Sequence, residues 1–154
     1  MKILLLDIDD TLCPLSYKGP DAVTVDEMGV QMAAPKYVVD GLKDFASKPN
    51  NSIVWATHRK RYFANTLARE MGFKTDGYLT FRDSSDASWN KLPDLVEYAN
   101  EHPDDLVINA DNDAFAVKPS EVPANLKFIV PDGKKGCLSE NDFKKINDMK
   151  EENN

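Results

Sequence analysis

The fold of this chain is decided by residues 3–12, which read ILLLDIDDTL. The four apolar residues at positions 3–6 predict a strand that is buried on both faces, because a strand covered by helices on each side has no polar alternation. Asp7 and Asp9 follow directly. Ligands of open α/β sheets bind at the carboxyl ends of the strands, so this stretch predicts a polar site at the end of a buried strand.

Further along the chain, short apolar runs alternate with segments of helical periodicity, which is typical of a parallel sheet built from βαβ units. Four more strands are predicted at residues 52–56, 77–81, 106–110 and 126–130. Helices are predicted over about residues 35–47, over residues 63–71 before Gly72, after Lys91, and after Ser139, which can form a capping box with Asp142. Together these elements predict a three-layer α/β fold with a mainly parallel five-stranded sheet.

Length and composition are those of one soluble domain: the chain has 154 residues, of which 42% are hydrophobic and 29% charged. We expect residues 1–150 to form that domain, with a flap or loop insertion at about residues 14–34 and a frayed tail at 151–154. Cys13 and Cys137 cannot build a disulfide framework. The apolar run at residues 3–6 is too short for a signal peptide or a membrane span, so a cytoplasmic location is expected.

Polar residues end or flank several of the predicted elements. Asp7 and Asp9 follow the first strand, Thr57 ends the second, Lys91 opens the third helix, and Asp111 ends the fourth strand. Burying several carboxylates together costs several kcal/mol each unless a cation compensates them. Mg²⁺, which binds through one or two carboxylates and substrate phosphate oxygens, would supply that compensation.

These residue types suit phosphoryl transfer. Asp7 can attack phosphorus as a nucleophile, and Asp9 can protonate the leaving oxygen and then deprotonate water. Thr57 and Lys91 can donate to the phosphoryl oxygens, where transition-state charge is spread. Asp111 would complete a metal site that also includes Asp7 and Asp9.

The order of these residues resembles the haloacid dehalogenase (HAD) superfamily. Residues 4–12 look like its first motif, an apolar strand followed by Asp-x-Asp-x-Thr, and residues 53–57, Lys91 and residues 106–113 are similar to the other three motifs. The resemblance spans nearly the whole chain. It implies a Rossmann-like fold with the first strand at the centre of the sheet, Mg²⁺ as cofactor, and a phosphohydrolase that forms an aspartyl-phosphate. Thr11, His58 and Arg59 are the candidate substrate-binding residues.

Two positions depart from the family pattern. Asn112 stands where many relatives have the second of two adjacent acids, so that Asn112 or Asp113 would fill that role, as a metal ligand or through a metal-bound water. His58 stands where relatives often have a small residue, and its bulk can narrow the phosphate site or contact the substrate.

A narrower likeness concerns residues 55–57, 64–73, 88–91 and 131–139, which resemble small HAD domains grouped with RNA-repair proteins. It implies phosphorylated nucleic-acid ends as candidate substrates.

No large cap domain fits this sequence. Between Thr57 and Lys91 there is room for one helix, one strand and a loop, and residues 14–34 can form only a small flap, with Tyr17, Lys18 and Met28 as candidate substrate contacts. An open site favours a phosphate on a macromolecule, such as a nucleic-acid end or a phosphoprotein. The net charge of -7 argues against a broad nucleic-acid surface. However, the basic residues 58–61 would lie near the mouth of the site and can steer a polyanion.

Other functions are compatible with the same residues. A receiver-like signalling domain also gathers acids, a hydroxyl and a lysine around Mg²⁺, but there the lysine comes last, whereas Lys91 precedes Asp111. A HAD-like phosphate-binding module without turnover and a small-metabolite phosphatase remain alternatives. A lyase, mutase or dehalogenase could also use Asp7, although a halide leaving group needs no general acid at Asp9.

Overall fold

The computed structural model describes residues 1–14, 17–27, 29–83, 89–118, 120 and 122–150. Its strands are β1 (Lys2–Leu6), β2 (Ala22–Glu27), β3 (Val30–Pro35), β4 (Asn51–Trp55), β5 (Gly77–Tyr78), β6 (Leu106–Ala110) and β7 (Leu126–Ile129). Its helices are α1 (Lys36–Ser47), α2 (Arg61–Met71), α3 (Leu92–Glu101) and α4 (Glu140–Asp148), with a short 3-10 helix at Ala114–Ala116.

Five strands form one parallel sheet in the order β5-β4-β1-β6-β7, with β1 at its centre as the resemblance implies. The register pairs Leu6 of β1 with Trp55 of β4 on one side and with Ala110 of β6 on the other. The three central strands therefore end at the same level. The residues that follow them are brought side by side at the carboxyl edge of the sheet.

The two faces of the sheet bury different side chains of the same strand. Leu4 and Leu6 of β1 lie in a core with residues of α1, α2 and α4, whereas Ile3 and Leu5 lie in a second core with residues of α3. This division follows from the period of two in a strand, in which successive side chains point to opposite faces. The result is the predicted three-layer α/β fold, which is Rossmann-like.

The predicted fold class and strand positions agree with the structure, but the predicted strand at residues 77–81 is too long. β5 consists of Gly77 and Tyr78 and pairs only with Val54 and Trp55 of β4. It is the edge strand of the sheet, so in the described part of the chain no further strand holds its outer side extended. The chain turns away after Leu79, and Phe81 packs instead against the ring of His58, with 5.4 Å between ring centroids.

The segment between β1 and α1 contains an antiparallel hairpin of β2 and β3. Its turn includes Gly29, whose φ of +78° lies in the left-handed region that favours glycine. Val25 and Met32 of the hairpin are buried against the main core. The described part of residues 14–34 is thus a small packed hairpin. Met28, named above as a candidate contact, and the tail at 151–154 lie outside the described residues.

No helix in the described part of the chain is long and apolar enough to span a membrane.

The start of α4 carries a complete capping box. The Ser139 hydroxyl accepts the Asp142 N–H at 3.0 Å, and the Asp142 carboxylate accepts the Ser139 N–H at 2.9 Å. Both bonds satisfy donors that a helix start leaves without partners.

We predict that Ser139→Ala lowers the free energy of unfolding by about 1 kcal/mol, because it removes one of these bonds. Urea unfolding would measure the change. Ser47→Ala is the matched control: it removes an exposed hydroxyl that donates to the Asp44 carbonyl at the end of α1 and caps no helix start. Equal losses for the two variants would contradict the role assigned to the cap.

Candidate functional site

Lys91 lies at the centre of the carboxyl edge, between the ends of β1 and β6. Its ammonium is 2.6 Å from Asp111 Oδ2 and 3.4 Å from Asp7 Oδ1, and it donates to the Ala56 carbonyl at 3.2 Å. Lys91 is 4% exposed, Asp7 7% and Asp111 0%. Lys91 directly precedes α3, which is packed under β6, so the start of this helix places the ammonium between two strand ends.

The buried group carries one positive and two negative charges. Burial raises the pKa of Asp7 to about 7, the nearby Lys91 acts to lower it, and Asp111 raises it further. One lysine therefore does not fully compensate both carboxylates. The site favours a proton or a further cation at Asp7.

Two backbone bonds hold Asp111 and its loop in place. Asp111 Oδ1 accepts the Asp113 N–H at 2.8 Å, and the Thr11 hydroxyl accepts the Asn112 N–H at 3.1 Å. Thr11 is fully buried. It ties the loop after β1 to the loop after β6, and its hydroxyl is not among the groups that line the cavity described below.

Asp9 is directed away from this buried group. Its carboxylate forms a two-pronged pair with Arg59, from Nε at 2.9 Å and Nη2 at 2.8 Å, and its side chain is 54% exposed. The three carboxylates predicted to share a metal are thus divided between the interior and the rim. Within the ranges described, no three His, Cys, Asp or Glu residues converge so as to hold a metal ion.

The donor set that remains is made of oxygen atoms. Asp7 and Asp111 present carboxylates next to one another, and Asn112 and Asp113 line the same cavity. Mg²⁺ typically takes only one or two protein carboxylates and keeps several waters or substrate oxygens. Asp7 and Asp111 therefore fit Mg²⁺, whereas the side chain of Asp9, paired with Arg59, does not.

Thr57 lies two residues after the end of β4, in the connection to α2, and is 2% exposed. Its hydroxyl oxygen accepts the Arg59 N–H at 3.1 Å, which leaves the hydroxyl hydrogen free to donate. The Tyr78 hydroxyl contacts the carbonyls of Thr57 at 3.2 Å and Arg59 at 2.5 Å. The turn that carries Thr57 and Arg59 is thereby fixed from the side of β5.

His58 lies at the rim of the site. Its Nε2 is 2.7 Å from Asp83 Oδ1, and the Asn90 amide donates to the same oxygen at 3.4 Å. About half of the His58 side chain is exposed. The side chain thus links the turn after β4 to the segment before α3.

These side chains surround a cavity of about 360 Å³. It is lined by Asp7, Asp9, Asp10, Thr57, His58, Trp89, Asn90, Lys91, Asn112 and Asp113. Asp10, Trp89 and Asn90 are the lining residues that the sequence did not single out as site residues. In the sequence, these three residues are indicated as site residues only by their position beside Asp9 and Lys91. Their place in the cavity wall depends on turns, such as the one at Asp10, where φ is +57°.

The chain matches no protein-family model, and no curated protein is significantly similar to it.

We predict that Lys91→Met destabilises the protein by about 3–5 kcal/mol, because it leaves two buried carboxylates without their counter-charge. Adding Asp111→Asn to the same chain should recover part of the loss, since it removes one of those charges. Urea unfolding in EDTA would measure both effects.

Lys36→Met is the matched control for this prediction. Lys36 is also 2.6 Å from a carboxylate, that of Asp40, but both side chains are exposed. Its loss should cost less than about 1 kcal/mol. Similar losses at Lys36 and Lys91 would show that burial of the charges does not control the energy.

A second prediction concerns pH and Asp7. The pKa of Asp7 is raised from its ordinary value of 3.8 to about 7 in the folded protein, so between these values the folded state retains a proton that the unfolded state has lost. Stability should fall as pH rises through this window. Asp7→Asn removes the effect and should be more stable than wild type at pH 8 by at least about 1 kcal/mol in EDTA, with a smaller difference at pH 5. A difference that does not change with pH would contradict the raised pKa.

Proposed function

We propose that this protein is a magnesium-dependent phosphomonoesterase of the HAD type, in which Asp7 takes the phosphoryl group as an aspartyl-phosphate. The observation that supports it most is the buried contact of Lys91 with Asp7 and Asp111, beside Thr57, at the carboxyl edge of a parallel sheet. This arrangement gathers a nucleophile, two donors for phosphoryl oxygens and oxygen ligands for a cation around one cavity.

Asp7 is the proposed nucleophile. One of its carboxylate oxygens attacks phosphorus, and the bond from phosphorus to the ester oxygen breaks. Asp7 must be ionised to attack. Since burial raises its pKa to about 7, a cation next to it is needed for full ionisation at neutral pH.

Thr57 and Lys91 are the proposed donors to the transferring group. The Thr57 hydroxyl keeps a hydrogen to donate, and the Lys91 ammonium has three. Lys91 also fixes Asp7. A single contact therefore positions both the nucleophile and one of the groups that neutralise the phosphoryl oxygens. Positioned donors of this kind stabilise the charge that spreads over the equatorial oxygens.

Asp9 is the proposed acid and base. As a carboxylic acid it gives its proton to the leaving oxygen. As a carboxylate it then takes a proton from the water that attacks the aspartyl-phosphate, and release of inorganic phosphate restores Asp7. Arg59 occupies both carboxylate oxygens of Asp9, so Arg59 has to move away, for instance onto a substrate phosphate, before Asp9 can reach the leaving oxygen.

Mg²⁺ would be held by Asp7 and Asp111, with Asn112 or Asp113 adjoining it. When bound it would neutralise charge on the phosphoryl oxygens and keep Asp7 ionised.

The proposed substrate is an accessible phosphate on a macromolecule, a nucleic-acid end or a phosphoprotein, and the proposed location is the cytoplasm. The hairpin of β2 and β3 supports the proposal of a macromolecular substrate. It is the only antiparallel pair in the ranges described, and it is too short to enclose a metabolite. His58 and Arg59 at the rim are the proposed substrate contacts.

A catalytically inactive phosphate-binding module is the second candidate. The pair of Asp9 with Arg59 favours it, since this pair occupies both carboxylate oxygens of the proposed acid at the rim.

The function is tested by phosphate release in the presence and absence of Mg²⁺. We expect release from p-nitrophenyl phosphate, and faster release from one of three macromolecular substrates: a 3′-phosphorylated oligonucleotide, a 5′-phosphorylated oligonucleotide or a phosphopeptide. Asp7→Asn should lower the rate at least about a thousandfold, because it removes the nucleophile.

Asp40→Asn is the control, as it makes the same chemical change at an exposed position of α1. Its rate should equal that of wild type. A folded wild-type protein that binds phosphate and releases none from any substrate would favour the inactive module.

A further inference from the structure

A second concave surface lies outside the cavity, along α2 and the edge strand β5. It has a volume of about 470 Å³, and Arg61, Asn65, Arg69, Thr75 and Tyr78 are among the residues that line it. We call this surface the arginine groove. The chemistry proposed above uses none of it.

The polar side chains of the groove are regularly spaced. Arg61, Asn65 and Arg69 follow one another at intervals of four residues on the exposed face of α2. Four residues of an α-helix rise by about 6 Å, so the two arginines lie about 12 Å apart along the helix axis. This is a ladder of donors, and arginine forks suit phosphate oxygens.

These donors are available to a ligand. Arg61 has no carboxylate partner within the described ranges, and its guanidinium lies 5.3 Å from the centroid of the Tyr78 ring. The partner of Arg69 is its neighbour Glu70, at 3.9 Å, with both side chains largely exposed. An exposed pair at that distance contributes little and does not hold Arg69 away from an anion.

The α2 side of the groove is basic although the chain is acidic. Residues 58–74 contain five of the 19 lysines and arginines and one of the 26 acidic residues. The first turn of α2 contains no acidic residue, so the positive end of the helix dipole adds to the field of the arginines. Charge complementarity therefore favours a polyanion at this surface.

The groove adjoins the turn that forms one wall of the cavity. Tyr78 lies under Arg61 in the groove, and its hydroxyl contacts the carbonyls of Thr57 and Arg59, the turn that forms one wall of the cavity. A strand that leaves the cavity over this turn on the side of Tyr78 can reach Arg61, and then Asn65 and Arg69 along α2.

We propose that the arginine groove binds the phosphodiester backbone of a single-stranded polynucleotide whose terminal phosphate occupies the cavity. This inference deepens the proposed function. Only the position of the terminal phosphate in the cavity rests on that function, whereas binding of the backbone to the groove does not. A phosphopeptide with one phosphate leaves two guanidinium groups on α2 without a ligand. A polynucleotide supplies further phosphates at regular intervals, and its bases can stack on the outer face of Arg61.

The test is binding of a fluorescent single-stranded oligonucleotide of about 12 nucleotides with hydroxyl ends, followed by anisotropy in EDTA. The full-length chain is compared with Arg61→Gln/Arg69→Gln and with Lys144→Gln/Lys145→Gln, whose exposed lysines on α4 give the same change in net charge. Thermal unfolding confirms that each variant is folded. An unlabelled phosphopeptide of equal length serves as competitor.

We expect the arginine variant to bind about tenfold more weakly. The slope of log K against log salt should become shallower by about 1.4, the value for two lost phosphate contacts on a single strand. The lysine variant should bind as wild type does, and the phosphopeptide should not compete. Equal losses of affinity in both variants, or displacement of the probe by the phosphopeptide, would overturn the proposal that the groove binds a polynucleotide.

The hydroxyl-ended probe separates this inference from the proposed function. It contains no terminal phosphate, and EDTA prevents metal-dependent turnover, so binding to the groove is measured whether or not the protein is a phosphatase. A protein that releases phosphate but does not bind the probe would overturn the groove alone. Binding of the probe without any phosphate release would overturn the phosphatase and retain the groove.

Discussion

The contact of a buried lysine with two buried carboxylates is the constraint on which the rest of this structure depends. Lys91, Asp7 and Asp111 come from three separate segments, and each is almost entirely removed from solvent. Desolvating such charges is costly, and the cost is offset only if the partners meet at short distance. The parallel sheet makes this possible because β1 and β6 end at the same level.

This contact also accounts for the chemical character of the cavity. Two carboxylates against one ammonium leave a negative excess, which raises the pKa of Asp7 and makes the site receptive to a cation. In the proposed phosphatase this negative excess is useful, because a divalent ion brings positive charge to the site and a phosphoryl group brings negative charge.

The acids of the first loop are divided between two environments. Asp7 is interior, whereas Asp9 lies at the rim against Arg59. The proposed phosphoryl transfer would use this division, since the proposed nucleophile would meet phosphorus inside the cavity and the proposed acid would meet the leaving group at its mouth. The Tyr78 hydroxyl contacts the Arg59 carbonyl and Arg61 lies over the Tyr78 ring, so the turn that carries Arg59 adjoins the proposed path of a polynucleotide.

The sequence by itself determined the architecture and indicated that Asp7, Thr57, Lys91 and Asp111 lie together at one edge of the sheet. Apolar runs and helical periodicity located the strands and helices, and Gly72 and Ser139 marked helix ends that the structure confirms. These features depend on neighbouring residues, so a linear pattern contains them. Tertiary structure alone decided that β5 is only two residues long, that Thr11 ties two loops together, and that Asp9 pairs with Arg59 instead of joining Asp7 and Asp111. Each of these outcomes depends on a partner distant in sequence and on whether solvent reaches the group, and neither can be read from spacing along the chain.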